Sequence, residues 1–463
     1  MEQKDNRWLQ HVILLTAPLL TVIDVFIVNI AVPSIKQSLQ ATDSEAELII
    51  AAYLLGYASF QVTGSRAGDI YGRKRIFLWG MLLFVVTSCL CGVAPDPTTL
   101  IVARLLQGVS GAFMMPQSLA YVQVLFPLPH ERTKAIGYVG ITLGIASVLG
   151  QFLGGLFSGI DTVIAGWRFI FFINLPIGLV AFFTAKKYLV DTKQNTHERF
   201  DYQGVALFIT ALSCLIYPLT EGREKGYPLW SFAMIIISIA LFVVFVFHQE
   251  RKLAKQQHPL IDMRLFKIRE FNIGLLLLTA YFIMHTSYLL VSTIYFQEGL
   301  HCTPFQTGLY FSIWGACFML SSFLSIRLVN AFGKRPIQLA MIGMMIAYVI
   351  QLAYFNEQAN PVAIIVVMLM MGLCGGMVLP TLINLALRKV PSHFAGIASG
   401  TYSTVQQTAS SFGICLIGGL FFNVARSTNS VVMGFHVSVY AEIACLALGF
   451  ILLMFMEDLK KKN

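Results

Sequence analysis

Charge is scarce in this chain. Asp, Glu, Lys and Arg make up 12% of its 463 residues, against about 25% in ordinary soluble domains. Long polar tracts are scarce too: the longest, 190–201 and 249–270, are too short to fold as separate domains. The eight cysteines (Cys89, Cys91, Cys214, Cys302, Cys317, Cys374, Cys415 and Cys445) lie mostly in apolar runs with no C-x-x-C spacing. That excludes a zinc site or a redox pair, and they read as small buried hydrophobes. The nine histidines form no H-x-x-x-H pair, and neither G-x-S-x-G nor H-E-x-x-H occurs. A membrane-embedded enzyme has no motif to stand on, and no cofactor is called for.

Apolar residues fill the space. Hydrophobic types reach 57%, with 36 Phe and 36 Gly, and mean hydropathy is +0.72. No soluble fold of this length could bury so much apolar surface, so the chain belongs in a bilayer. The net charge of +9 is then the Lys and Arg excess of cytoplasmic loops, with no nucleic-acid partner implied.

A span needs about 20 mostly apolar residues. Fourteen windows qualify: 10–32, 46–65, 76–94, 98–124, 134–157, 168–189, 202–220, 230–248, 271–296, 304–326, 337–355, 361–386, 396–421 and 434–456. With the N-terminus inside, only Lys36, Arg168, Arg223, Lys225 and Arg426 fall in external connections, and Arg104 lies within a span. All other cations share one side, which predicts both termini in the cytoplasm. The N-terminal MEQKDNRWLQH reads as the start of span one and not as a removable signal.

The chain also repeats itself. Arg66-Ala-Gly-Asp69-Ile-Tyr-Gly72-Arg73-Lys74 after span two matches Arg327-Leu-Val-Asn330-Ala-Phe-Gly333-Lys334-Arg335 after span ten. Gly108-x-x-Gly111-x-x-x-x-Pro116 in span four matches Gly372-x-x-Gly375-x-x-x-x-Pro380 in span twelve, and Gly154-Gly155 matches Gly418-Gly419. The expected organisation is a six-helix bundle over 1–200, an inserted helix pair with its linkers over 201–269, and a second six-helix bundle over 270–463. Parallel halves of this kind are a signature of transporters.

Four strings carry a resemblance. Ser65-Arg-Ala-Gly-Asp69-Ile-Tyr-Gly72-Arg73-Lys74 is close to G-x-L-A-D-R-x-G-R-K, with departures that include Ser65, Ala67 and Ile70. Asp24-Val-Phe-Ile-Val-Asn29-Ile-Ala-Val-Pro33 is close to D-x-T-V-V-N-V-A-L-P, and Arg104-Leu-Leu-Gln107-Gly108 fits R-x-x-Q-G. Trp167-Arg-Phe-Ile-Phe-Phe-Ile-Asn174-Leu-Pro176 is the fourth. Together they resemble the major facilitator superfamily over essentially the whole chain, and within it the 14-helix drug:proton antiporter branch. Span five departs from that branch's G-P-x-x-G-G, with Gln151 in the proline's place. The resemblance implies an all-α major facilitator fold of 14 helices. It further implies a proton-coupled antiporter in the bacterial inner (plasma) membrane that exports amphipathic small molecules by alternating access. Its partners would be substrate, protons and lipid, with a monomer sufficient. The alternatives are an uptake symporter for a polar nutrient, or a non-transporting sensor or enzyme.

Asp24 lies well inside span one, where an unpaired charge costs on the order of 2.5–3.5 kcal/mol on insertion scales. Counting about 1.5 Å per residue from the span ends puts Arg104 at similar depth. The pair is expected either to couple protons or to be a static packing device. Arg104, Gln107, Gly108 and Gly111 share a helix face, expected to line a central cavity. Further cavity candidates are Asn29, Tyr53, Met114, Met115, Gln151, Tyr281, Tyr288, Asn384, Gln406 and Gln407. His285 is either a substrate contact or a hydrogen-bonded structural histidine. Glu47 and Glu442 are expected near solvent, at a mouth and a rim. Asp69 is expected at the N-terminus of span eleven, near Pro336, as a cytoplasmic latch. Arg66, Gly72, Arg73, Lys74, Asn330 and Gly333 would surround that gate.

Overall fold

The computed structural model describes residues 2–160, 164–191, 201–255, 257, 259–391 and 395–456. Among them every regular element is helical, and fourteen helices are long and apolar enough to cross a membrane, the number predicted. The first six are α1 (Asn6–Leu39), α2 (Asp43–Tyr71), α3 (Arg73–Val93), α4 (Pro97–Leu125), α5 (His130–Ser158) and α6 (Gly166–Tyr188). Then come α7 (Tyr202–Gly222) and α8 (Leu229–Ala254). The last six are α9 (Arg269–Gly299), α10 (Pro304–Val329), α11 (Arg335–Tyr354), α12 (Pro361–Leu387), α13 (Ala398–Thr428) and α14 (Val431–Met454).

An even number of crossings puts the start of α1 and the end of α14 at one end of the molecule, here the terminal end. The caps sit at the opposite, far end. There Thr42 and Thr303 close capping boxes with Glu45 and Gln306, and Asp96, Asn360 and Ser430 accept first-turn N–H groups. Each satisfies a backbone donor that an apolar helix start would leave open.

Packing repeats between the halves. α2 lies on α4, α1 on α5, and α3 on α4 and α6; α10 lies on α12, α9 on α13, and α11 on α12 and α14. The turn glycines repeat as well: Gly72 and Gly333 hold φ of 97° and 69°, where a side chain would be strained. The halves meet where α5 crosses α10 and where α2 crosses α13. Close approach at the first crossing needs two glycines, since a Cβ on Gly155 would lie 2.5 Å from the Pro304 carbonyl oxygen. One on Gly308 would lie 2.8 Å from that of Gln151.

α7 and α8 pack on each other, and α7 lies on α2. Asp201 anchors the pair. Its buried carboxylate meets Lys252 Nζ at 2.8 Å, His248 Nε2 at 3.0 Å and Gln249 Nε2 at 2.9 Å, and accepts the Gly204 and Leu260 N–H groups. Burial alone would raise its pKa, but Lys252, His248, Gln249 and the Gly204 N–H hold it well below the usual carboxylate range. Asp201→Ala is expected to cost about 1–3 kcal/mol by stripping a charged acceptor from these donors. Because the folded value is depressed, that contribution is full above about pH 3.9 and fades as pH falls further. Thermal unfolding of both forms in detergent, at pH 7 and again below pH 4, checks the size and the sign.

Candidate functional site

The first bundle encloses a polar cluster. Asp24 and Arg104 are both fully buried and form an ion pair through Oδ2 and Nη1. The other carboxylate oxygen accepts from Gln107 Nε2 at 2.8 Å and Asn174 Nδ2 at 3.1 Å. Arg104 also donates to Gln107 Oε1 at 2.9 Å and, through Nε, to the Ile49 carbonyl at 3.1 Å. The Tyr53 ring covers the guanidinium at 4.3 Å, a desolvated cation–π contact. Asn174 in turn donates to Ser88 Oγ at 2.9 Å. Five helices, α1, α2, α3, α4 and α6, thus converge on one carboxylate with its counter-ion.

The α4 face predicted to line a cavity turns instead into this bundle. Gln107 gives its amide to Asp24 and Arg104, while Gly108 meets the Tyr53 backbone and Gly111 the Tyr57 ring. Tyr53 donates to the Thr21 carbonyl at 3.3 Å. Met114 is buried against Gly80 of α3, and Met115 is half-buried. Polar residues on a helix seek any polar partner in an apolar surround, and here the nearest lies within the bundle.

Between the halves lies a void too narrow to admit a water molecule, lined by Phe26, Asn29, Ile30 and Gln151 from one half and Leu289, Thr293 and Phe311 from the other. Asn29 donates to the Val25 carbonyl at 2.9 Å. Its Oδ1, and both amide atoms of the buried Gln151, make no hydrogen bond. Nearby, Phe26 approaches Trp314 across the interface. His285 sits among Tyr281, Phe282, Trp314 and Phe318, its ring stacked on Tyr281 at 5.5 Å. Asn384 is exposed and donates to the Pro380 carbonyl at 3.4 Å. Gln406 and Gln407 are half-buried on α13.

The far end is closed by ions. Asp43 takes Lys36 at 2.7 Å from its own half and Arg426 at 2.7 Å from the other, and Lys36 reaches Glu298 at 3.8 Å. Gln297 donates to the Ile30 carbonyl at 2.9 Å, also across the interface. Toward the terminal end Gly137 and Gly140 of α5 face open space, while α13 still meets α2, a Cβ on Gly400 lying 3.3 Å from Val62.

Asp69 meets Arg73 at 2.8 Å, within its own half, and not the start of α11. Arg66 donates to the Pro259 carbonyl at 2.6 Å. The Lys74 N–H reaches Asp191 at 3.4 Å, and the Asn330 side chain lies outside the described residues. Glu47, expected at an open mouth, is fully buried under Gly418 of α13, because the closed far end covers it. Glu442 is 1% exposed inside the second bundle, since α9 and α11 pack over α14. Tyr288 belongs to its surroundings, accepting from Gln351 at 3.3 Å.

Comparison with known proteins agrees with this architecture. The model of the Major Facilitator Superfamily matches residues 14–414. The chain is a member of that superfamily. Among superfamily relatives, a probable actinorhodin transporter of Streptomyces coelicolor is 32% identical over 91% of this chain and 74% of its own length. A puromycin resistance protein of Streptomyces alboniger is 30% identical over 89% and 81%. A methylenomycin A resistance protein of Bacillus subtilis is 28% identical over 86% and 84%. Among solved structures, a D-xylose-proton symporter shares the fold, with a TM-score of 0.69 at 15% identity over 98% of both chains. Membership makes this multi-pass chain a membrane transporter and not an enzyme. Asn174 and Ser88 were not predicted as site residues. Asn174 stood in one of the four strings, whereas nothing in the sequence marks Ser88.

Proposed function

We propose that the protein is a proton-coupled exporter of amphipathic drugs or antibiotics in a bacterial plasma membrane, with its terminal end in the cytoplasm. The void between the halves carries this reading. Its walls join aromatic and aliphatic groups to amides without partners, a lining that, once the halves part to widen it, would suit a mostly apolar molecule with a few hydrogen-bonding groups. The names of the relatives, resistance proteins and a pigment transporter, support the same direction. An uptake symporter for a polar nutrient would want a richer polar set than Asn29, Gln151 and Thr293.

Bundles 1–200 and 270–463 would rock about the void, with the 201–269 pair riding on α2, and one chain holds both halves. The far-end ions support an inward-facing state here. Asp69 would reach the start of α11 only when the terminal end closes. Asp24 can accept a proton only by leaving Arg104, so any coupling there requires α1 and α4 to shift.

Everted vesicles test the proposal with puromycin as probe. Accumulation driven by an acid interior and abolished by a protonophore is expected. Asp24→Asn is expected to keep gradient-free exchange while losing gradient dependence. Accumulation only in right-side-out vesicles would refute export.

A further inference from the structure

The second bundle holds a buried carboxyl of the opposite electrostatic kind. Glu442 Oε1 accepts from Ser287 Oγ at 3.4 Å, and the Tyr348 hydroxyl lies beside the same carboxyl. Its titratable neighbours are two phenols and a thiol, Tyr288 from α9, Tyr348 from α11 and Cys445 on its own helix. α13 presents no titratable or charged group to it among the described residues. No Lys or Arg among the described residues pairs with it. The repeat explains the missing cation. The offset that matches Gly108 to Gly372 matches Arg104 to Met368, which is fully buried. The first bundle therefore balances its carboxylate with a guanidinium, and the second puts a thioether at the equivalent place.

An ionised carboxylate in such a surround is the costliest group a membrane interior can hold. A proton removes that cost. We propose that Glu442 is the proton-binding residue of the second bundle, neutral as a carboxylic acid in this conformation. Asp24, by contrast, has Arg104 as its partner. The step forms one O–H bond on the carboxylate and breaks one of hydronium, leaving water; release reverses it. The buried hydroxyl of Tyr348, which faces the Glu442 carboxyl, and that of Tyr288 are the groups through which the proton would leave when α9 and α11 move against α14. This rests on the proton-coupled reading above and adds, beside Asp24, a second residue that carries a proton.

Two measurements on the full chain decide it. Infrared difference spectra of purified protein at neutral pH are expected to show a protonated-carboxyl C=O band. The band should vanish in Glu442→Gln and persist in Asp24→Asn. In everted vesicles, Glu442→Gln is expected to lose gradient-driven puromycin accumulation down to the de-energised level while keeping substrate counterflow. Glu442→Asp, which retains an acid, should keep the band and part of the accumulation, so a folding defect in the amide variant cannot pass for the effect. A band indifferent to Glu442→Gln, or gradient-driven accumulation retained in that variant, overturns the proposal. A wild type indifferent to the gradient overturns the coupling reading instead, and the infrared result still decides where the proton sits.

Discussion

Arg104→Leu is expected to abolish transport and to cost about 3–5 kcal/mol of stability, the range for breaking a buried ion pair from one side. Leucine keeps the helix but leaves the Asp24 carboxylate with only the Gln107 and Asn174 amides. It also frees the Ile49 carbonyl and uncovers Tyr53. Most of the loss is the stranded charge and not the vanished contact. The double variant Asp24→Asn with Arg104→Leu should therefore be more stable than Arg104→Leu alone, a non-additivity that a mutant cycle reads directly. Arg104→Lys should rescue only partly, because an ammonium cannot serve Asp24, Gln107 and Ile49 from one planar group. Thermal unfolding in detergent, with vesicle transport beside it, tests the unaltered chain, Asp24→Asn, Arg104→Leu, the double variant and Arg104→Lys. Additive losses would show that the two charges do not act as a pair.

The second large effect concerns the crossing of α5 and α10. Gly155→Val should prevent the far end from closing, because even the first added carbon would lie 2.5 Å from the Pro304 carbonyl oxygen. Overpacking at such a contact costs about 1–3 kcal/mol. If the far-open state escapes that cost, the equilibrium moves roughly 5- to 150-fold toward it. Each bundle keeps its own core, so the variant should fold. A Gln297→Cys reporter, placed where Gln297 meets the Ile30 carbonyl in a background without the native cysteines, would read the shift as faster labelling by a membrane-impermeant maleimide. Unchanged labelling in a folded Gly155→Val protein would mean the crossing does not control closure. Disrupting the ions with Asp43→Ala should act in the same direction but more weakly, since Asp43, Lys36 and Arg426 keep some solvent contact and water screens partly exposed pairs.

The two bundles also use their buried acids differently, which bears on how a proton could do work. Moving a proton to Asp24 means breaking an ion pair, while moving one off Glu442 means creating an uncompensated charge. Either event biases helix packing by several kcal/mol at membrane depth, and the two sit in different halves. A transporter that rocks one half against the other could use both.

Span count, the repeat and the charged loops were readable along the chain because each depends on local composition. Twenty apolar residues make a span wherever it ends up, and Gly72 and Gly333 announce their turns by their own backbone needs. The pairing of Asp24 with Arg104 was readable too, since helical rise puts them at one depth. Which way their shared face points was not. In a soluble protein the apolar stripe reveals the inside, but here lipid and neighbouring helices are equally apolar, so hydropathy cannot say whether a face meets a cavity, a bundle core or acyl chains. Only the tertiary structure decided that Gln107 turns into the first bundle, that Glu47 and Glu442 are buried, and that Asp43 and Arg426, distant in sequence, close the far end together.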